Sequence, residues 1–204
     1  ERDLLADSDR FFRVPLGGRP LNLRVARDSR RVFVANELSN AVQVVDLGER
    51  RVTTTIPLGG PTESSLARRG EAIFHDARRS LDQWYSCATC HYEGGTNAVP
   101  MDTHNDGSIR TFKSVLPLYH VAKTAPWTWH GWQGDLAASV RKSFTETMLG
   151  PEPAADDVRA VLAYLESLPL PPNPRRSGSV PLSAAAERGR AVFESEVAGC
   201  SACH

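Results

Sequence analysis

The chain has 204 residues, which is enough for one or two domains with their own cores. It carries 24 Lys plus Arg against 24 Asp plus Glu, so its formal net charge is zero. This balance gives no argument for binding nucleic acid or an anionic membrane surface, and neither partner is expected. No apolar run approaches the roughly 20 residues that a membrane-spanning helix needs.

The first sixty residues are predicted to form β-strands. Short apolar or β-branched runs at residues 32–35 and 41–45 are separated by the turn formers Ser39 and Asn40. Residues 13–18 also recur in similar form at 55–60, an offset typical of a propeller blade. One blade cannot bury both faces of its sheet, so further blades are expected upstream. A small β-meander that caps the following domain is the alternative.

From about residue 61 the pattern becomes helical. Residues 69–74 and 188–193 repeat one phrase, Arg-Gly-x-Ala-x-Phe, and each copy precedes a cysteine motif. The glycines of this phrase, Gly70 and Gly189, predict a close approach between helices. The duplication predicts two related domains.

Both cysteine motifs read Cys-x-x-Cys-His, and together they use all four cysteines of the chain. This pattern is the attachment signature of c-type haem. The two thiols join the vinyl groups of the porphyrin, and the adjacent histidine becomes the proximal iron ligand. The sequence therefore predicts two covalently attached haem c groups, bound through Cys87, Cys90 and His91 and through Cys200, Cys203 and His204.

A zinc site is the competing interpretation of paired cysteines. Here 109 residues separate the two pairs, whereas a zinc ribbon usually joins its pairs within about 15–20 residues. Zinc also gives no reason for a histidine directly after each pair. Since haem c is attached on the oxidising side of the bacterial membrane, a periplasmic or extracytoplasmic location is expected. The end of the chain at His204 favours a fragment of a longer polypeptide.

Two further helices are predicted at residues 135–149 and 156–168, each with an apolar stripe. Five prolines in residues 169–182 then predict a semi-rigid linker. The predicted fold is multidomain, with an N-terminal all-β propeller blade fragment followed by α-helical cytochrome c domains. Its parts are residues 1–60, a first cytochrome domain at 61–168, the linker at 169–182, and the start of a second cytochrome domain at 183–204.

Two family resemblances follow from these motifs. Residues 19–59 resemble a YVTN-type, lactonase-like propeller repeat. Residues 63–204 resemble the bacterial di-haem cytochrome c peroxidase/MauG superfamily, through the two haem motifs, the repeated phrase and the insert at 110–150. The segment 125–131 matches a Phe-Trp-Asp-Gly segment of that family, with His130 in place of the aspartate and Trp132 in place of the following arginine.

The resemblance implies three candidate catalytic residues. Trp129 takes the place of a tryptophan that lies between the haems in that family. His104 follows the first haem motif at a distance along the sequence similar to that of the family's switchable distal histidine. Glu146 resembles the family's distal glutamate, which would act as proton acceptor in peroxide cleavage. For each of them, a solvated or purely packing role is the alternative. A calcium ion between the haems is not favoured, because the family's calcium-linked asparagine would fall near Thr111, where this sequence has no asparagine.

The predicted function is that of an extracytoplasmic di-haem c-type cytochrome. The first haem would reduce hydrogen peroxide or oxidise a protein side chain, and the second would relay electrons. The alternative is a non-enzymatic electron-transfer subunit of a larger redox assembly, with both irons six-coordinate. Either function implies a redox protein as electron donor or acceptor. The coordination of the iron held by His91 distinguishes the two.

Overall fold

A computed structural model describes residues 6–60, 64–172 and 181–202. The chain divides into two compact units, residues 1–169 and 170–204. Of the second haem motif, Cys203 and His204 lie outside the described residues, as does much of the predicted linker. In the part of the chain that is described, no helix is both long and apolar enough to cross a membrane.

The N-terminal segment forms one antiparallel sheet of four strands in the order β1-β2-β3-β4. The strands are β1 (Pro20–Val25), β2 (Arg31–Asn36), β3 (Ala41–Asp46) and β4 (Arg51–Pro57). The predicted strands at 32–35 and 41–45 are confirmed as β2 and β3, and Asn40 in the turn between them has a positive φ of 46°. β2 and β3 bury Val34, Val44 and Val45, whereas β1 is exposed along its length. The sheet is shown, and its membership of a propeller stays a prediction.

Helix α1 (Leu66–Phe74) contains the first copy of the repeated phrase and packs against a later helix through it. A Cβ atom added at Gly70 would lie 1.9 Å from the carbonyl oxygen of Ala160 and 2.8 Å from Cβ of Tyr164. The predicted close approach at this glycine is therefore confirmed. Ser65 caps α1 by accepting a hydrogen bond from the backbone N–H of Arg68 at 3.1 Å.

After α1 come the one-turn helix α2 (Cys87–Cys90), a pair of two-residue strands, and two longer helical segments. The strands are β5 (Pro100–Met101) and β6 (Lys113–Ser114). Helix α3 (Leu136–Lys142) is capped by Asp135 and continues as a π-helical turn over Ser143–Thr147. Helix α4 (Ala155–Ser167) follows. The two helices predicted at 135–149 and 156–168 are thus confirmed, with a widened last turn in the first of them.

The core of the first unit lies between α1, α3, the π-helical turn and α4. Phe74, Phe144 and Val158 are its largest fully buried side chains. Met148, on the apolar stripe of the helix predicted at 135–149, is 3% exposed and belongs to this core. These helices leave a cavity on the side of α2.

In the second unit, α5 (Ala184–Phe193) begins after Ser183, whose side chain accepts a hydrogen bond from the N–H of Ala186 at 3.2 Å. The second cytochrome domain predicted at 183–204 would begin with this helix, and that domain stays a prediction. Among the described residues, a Cβ added at Gly189 would meet nothing within 4 Å. In that part of the chain, only the first copy of the phrase therefore uses its glycine for packing.

Candidate haem site

The two cysteines of the first motif lie one helical turn apart on α2. The N–H of Ser86 donates to Oγ1 of Thr89 at 3.1 Å, which fixes the start of this short helix. Both sulfurs are free thiols, and both residues line one cavity. Sγ of Cys87 lies 3.8 Å from Sδ of Met148, and Sγ of Cys90 lies 3.4 Å from Sδ of Met101.

Burial sets the chemistry of these thiols. It raises the pKa of Cys87 to about 12 and also raises the pKa of Cys90. Both groups are therefore protonated at neutral pH, which makes them poor nucleophiles and poor metal ligands until they are activated.

His91 follows the second cysteine and lines the same cavity. Its Nδ1 lies 2.9 Å from the carbonyl oxygen of Leu116. Because a carbonyl only accepts, Nδ1 carries the proton and Nε2 keeps its lone pair. Burial lowers the pKa of His91, so the ring is neutral at pH 7, as a metal ligand must be.

The cavity has a volume of about 600 Å³, within the range of cofactor sites. Its walls come from α2, the segment between β6 and α3, the helical segment 136–148 and α4. The apolar part of the wall includes Phe74, Val121, Val140, Phe144, Met148 and Leu165. An apolar cavity that presents two thiols one turn apart and one neutral imidazole fits a haem c group, with Cys87, Cys90 and His91 holding it.

The described residues offer no group of three or more His, Cys, Asp and Glu side chains arranged to hold a metal ion. In the described part of the chain, the first motif therefore lacks the further ligands that a closed zinc site needs. A site that joins both motifs would involve Cys203 and His204, which lie outside the described residues.

The cavity lined by Cys87, Cys90 and His91 is called the haem cavity from here on. Of the three candidate catalytic residues, Trp129 lines it. Its indole N–H donates to the carbonyl oxygen of Ser114 at 2.7 Å, which fixes the ring against β6. The residue is 51% exposed. It therefore connects the cavity wall with the surface of the unit, which is compatible with its predicted role as an electron conduit.

His104 and Glu146 line a second, more open cavity of about 970 Å³, which we call the outer pocket. Glu146 has a side chain that is 41% exposed and lies 3.4 Å from Nζ of Lys142. The structure thus brings these two candidates together with each other, and with His130, but neither lines the haem cavity. Their catalytic roles stay predictions.

Sequence reasoning missed Asn105 and Lys113, which line the haem cavity. Nζ of Lys113 donates to the Asp106 carboxylate, and this contact, as the largest cause, holds the pKa of Asp106 well below its usual range. In the sequence, Asn105 stands out only as part of a polar stretch at 102–107. An exposed loop accounts for such a stretch as well as a binding site does. Asn105 is instead 9% exposed.

Comparison with known proteins gives the same class. Residues 64–170, just over half of the chain, match the family described as di-haem cytochrome c peroxidase, and the chain belongs to this family. The match covers α1, the first haem motif and the helices that wall the cavity. The family implies haem c as the cofactor and a haem-based redox role.

A curated protein and a solved structure that are similar to this chain both come from the same enzyme, hydrazine synthase. The chain is 29% identical over 155 residues to the hydrazine synthase subunit gamma of Kuenenia stuttgartiensis, a match that covers 71% of this chain and 44% of the relative. A solved structure of Kuenenia stuttgartiensis hydrazine synthase, pressurised with 20 bar xenon, matches with a TM-score of 0.60 and 26% identity. That match covers 71% of this chain and 49% of the other. The chain thus spans less than half the length of both relatives.

Proposed function

We propose that this chain is a haem c redox subunit of a multi-subunit oxidoreductase, and that a small molecule reacts at the haem held by Cys87, Cys90 and His91. When bound, the haem supplies one-electron chemistry and, at an open sixth position, a site for a small ligand. A second haem at Cys200, Cys203 and His204 would relay electrons to a redox partner. Covalent attachment of these groups supports assembly outside the cytoplasm.

One observation carries the proposal. Among the described residues that line the cavity, His91 is the one histidine and Met148 the one methionine. The Met148 sulfur lies 3.8 Å from the Cys87 sulfur, beside one of the two thiols that would hold the haem. Apart from His91 and Met148, the described lining residues would therefore offer a bound haem no histidine or methionine ligand. An open position supports substrate chemistry over simple electron relay.

The test is the coordination state of the haem held by His91. In the haem-loaded chain, the ferric iron should show a high-spin spectrum and bind cyanide, both by absorption and by electron paramagnetic resonance. Met148→Leu, which conserves volume, should leave the spin state unchanged. A low-spin spectrum that Met148→Leu converts to high spin would identify Met148 as the sixth ligand and would defeat the proposal. His91→Gly is the matched control, because it removes the proximal ligand and keeps both thioethers.

Hydrogen peroxide is the second candidate substrate, and the family description favours it. Heterolytic cleavage of peroxide needs a proton acceptor beside the bound molecule. No Asp or Glu side chain is among the described residues that line the haem cavity, and Glu146 lies in the outer pocket. A peroxidase that uses Glu146 should lose about 10²–10⁴-fold in peroxide rate on Glu146→Gln. A change of less than about threefold in this rate would favour the reaction of a small molecule other than peroxide at the haem.

A further inference from the structure

The carbonyl oxygen of Leu116, which orients the His91 ring, lies in a segment without regular secondary structure. Strand β6 ends at Ser114, and the next helical turn begins at Val121. Residues 115–118, between them, belong to no helix or strand. Because no helix or sheet holds these residues, the position of the Leu116 carbonyl depends on where the two ends of the segment are anchored.

One end of this segment is tied to the haem motif itself. The N–H of Leu118 donates to the carbonyl oxygen of Gly94 at 2.8 Å. The hydroxyl of Tyr119 donates to the carbonyl oxygen of Glu93 at 3.1 Å. Glu93 and Gly94 come two and three residues after His91. This end is therefore fixed relative to the loop that carries the histidine.

Trp129 supplies an anchor at the other end. Its indole N–H donates to the carbonyl oxygen of Ser114 at 2.7 Å, two residues before Leu116. Trp129 lies in a tight turn that is closed by an antiparallel bridge between Trp127 and Gln133. The backbone N–H of Trp127 donates across this bridge to Gln133 at 2.9 Å. The turn therefore presents the indole to the segment from a defined position.

The same turn is attached to the core through its other tryptophan. The indole N–H of Trp127 donates to the carbonyl oxygen of Val121 at 2.6 Å. Val121 is 8% exposed and belongs to the core of the first unit, and Trp127 packs against that core. Trp129 is thus a hydrogen-bond donor on a turn that the core holds in place.

We infer that Trp129 is a positioning residue for the proximal ligand. Its hydrogen bond to Ser114 keeps the Leu116 carbonyl within reach of Nδ1–H of His91. A hydrogen bond at this nitrogen makes the imidazole a stronger donor to iron, and it weakens steeply when its geometry is lost. Trp129 would therefore tune the redox potential of the haem, a role distinct from electron conduction or packing.

The test compares the haem-loaded chain with Trp129→Phe, which removes the indole N–H and keeps an aromatic ring. A poorer imidazole donor disfavours ferric iron more than ferrous iron, so the midpoint potential should rise. We expect the equilibrium to change about three- to tenfold, which equals about 30–60 mV for a one-electron couple. Spectroelectrochemistry would measure this potential, and its loss in His91→Gly would assign it to this haem.

A second measurement reports on the hydrogen bond itself. The Nδ1 proton of His91 should exchange with deuterium about three- to tenfold faster in Trp129→Phe, because exchange requires this bond to open. NMR of the haem-loaded chain in a low-spin state would follow the proton. A residue that only conducts electrons or only fills space would leave this exchange rate unchanged.

Trp132→Phe is the matched control, because Trp132 lines the same cavity and is 38% exposed. Among the described residues, only Trp127 and Trp129 use the indole N–H in a hydrogen bond. The control should therefore change neither the potential nor the exchange rate. If Trp129→Phe does not hold haem, site-specific replacement of Trp129 by benzothienylalanine keeps the shape of the indole and removes only its N–H, with the same expected results.

The possible failures can be told apart. A potential and an exchange rate that match those of the control would overturn the inference. A shifted potential with an unchanged exchange rate would overturn it as well, since the effect would then bypass the His91 hydrogen bond. The inference requires a haem held by His91 but no open sixth position. A low-spin haem with Met148 as ligand would therefore defeat the proposed function and leave this test in force, whereas a chain that holds no haem at His91 would refute both.

Discussion

At the scale of single residues, the first haem motif places two thiols and one imidazole within five positions. The i, i+3 spacing of Cys87 and Cys90 puts both thiols on one side of a single helical turn. His91 then leaves the helix, and the carbonyl oxygen of Leu116, 25 residues further on, orients its ring. The relative positions of the two thiols follow from their spacing in the sequence, whereas the orientation of the imidazole depends on a distant segment.

The thiols themselves allow a prediction on the haem-free chain. Because burial raises the pKa of Cys87 to about 12, its thiolate is scarce at pH 8. Each unit of pKa lowers the thiolate fraction about tenfold, and greater nucleophilicity restores only part of the rate. Cys87 should therefore react with iodoacetamide more than about tenfold slower than an exposed cysteine, and its rate should still rise above pH 9.

Mass spectrometry of the modified peptides would measure these rates. The same chain unfolded in urea is the control, since both cysteines of the motif should then react alike. Rapid modification of Cys87 in the folded chain at pH 8, with no rise above pH 9, would show that its thiol is not buried as the structure describes.

At the scale of elements, the contact between α1 and α4 depends on one missing side chain. Gly70 lets the two helices approach until a Cβ would overlap the carbonyl oxygen of Ala160. The overlap is with backbone, which cannot move aside as a side chain can. This contact places α1 behind the haem cavity, where Phe74 forms part of its wall.

The duplicated phrase supplies a matched pair of variants. Gly70→Ala should lower the free energy of unfolding by about 3 kcal/mol, because α1 and α4 must separate. Gly189→Ala, in the equivalent position of α5, meets no described residue and should be neutral or stabilise by about 0.5–1 kcal/mol. Chemical denaturation followed by circular dichroism would measure both. Equal effects of the two substitutions would contradict the helix contact described here.

At the scale of the whole first unit, an ionic cluster joins the sheet to the helical region. Arg19 and Glu37 come from the sheet segment, and Arg68, Glu71 and Glu93 from the helical one. Arg19 lies 3.3 Å from Glu71 and 2.5 Å from Glu93, while Arg68 contacts both Glu37 and Glu71. Because Glu93 is two residues after His91, this cluster connects the sheet with the haem motif.

Arg19→Met tests this connection. The substitution keeps most of the apolar stem and leaves Glu71, a mostly buried carboxylate, with one cation fewer, so we expect a loss of about 1–3 kcal/mol. Arg31→Met is the control, because Arg31 pairs with Asp28 in an exposed turn and should change stability by less than about 0.5 kcal/mol. Thermal unfolding would measure both variants. A loss no larger than that of the control would show that the cluster does not hold the sheet in place.

Local sequence signals determined much of this molecule. The short apolar runs of β2 and β3, the caps Ser65, Asp135 and Ser183, and the spacing of the haem motif are each encoded within a few residues. The glycine of the repeated phrase predicted the contact of α1 with α4 correctly, because only a missing side chain permits such an approach. These features need no knowledge of distant parts of the chain.

Tertiary structure alone decided which polar residues face the cavity. His104, Asn105 and Glu146 are equally polar in the sequence, yet only Asn105 is buried at the cavity wall, while the other two line the outer pocket. The reason is that the loop at 102–107 is positioned by hydrogen bonds from Lys142 and Thr147, about 40 residues later in the chain. The sequence by itself therefore predicted a haem c site and the residues that would hold the haem, and only the packing of distant segments decided what surrounds those residues.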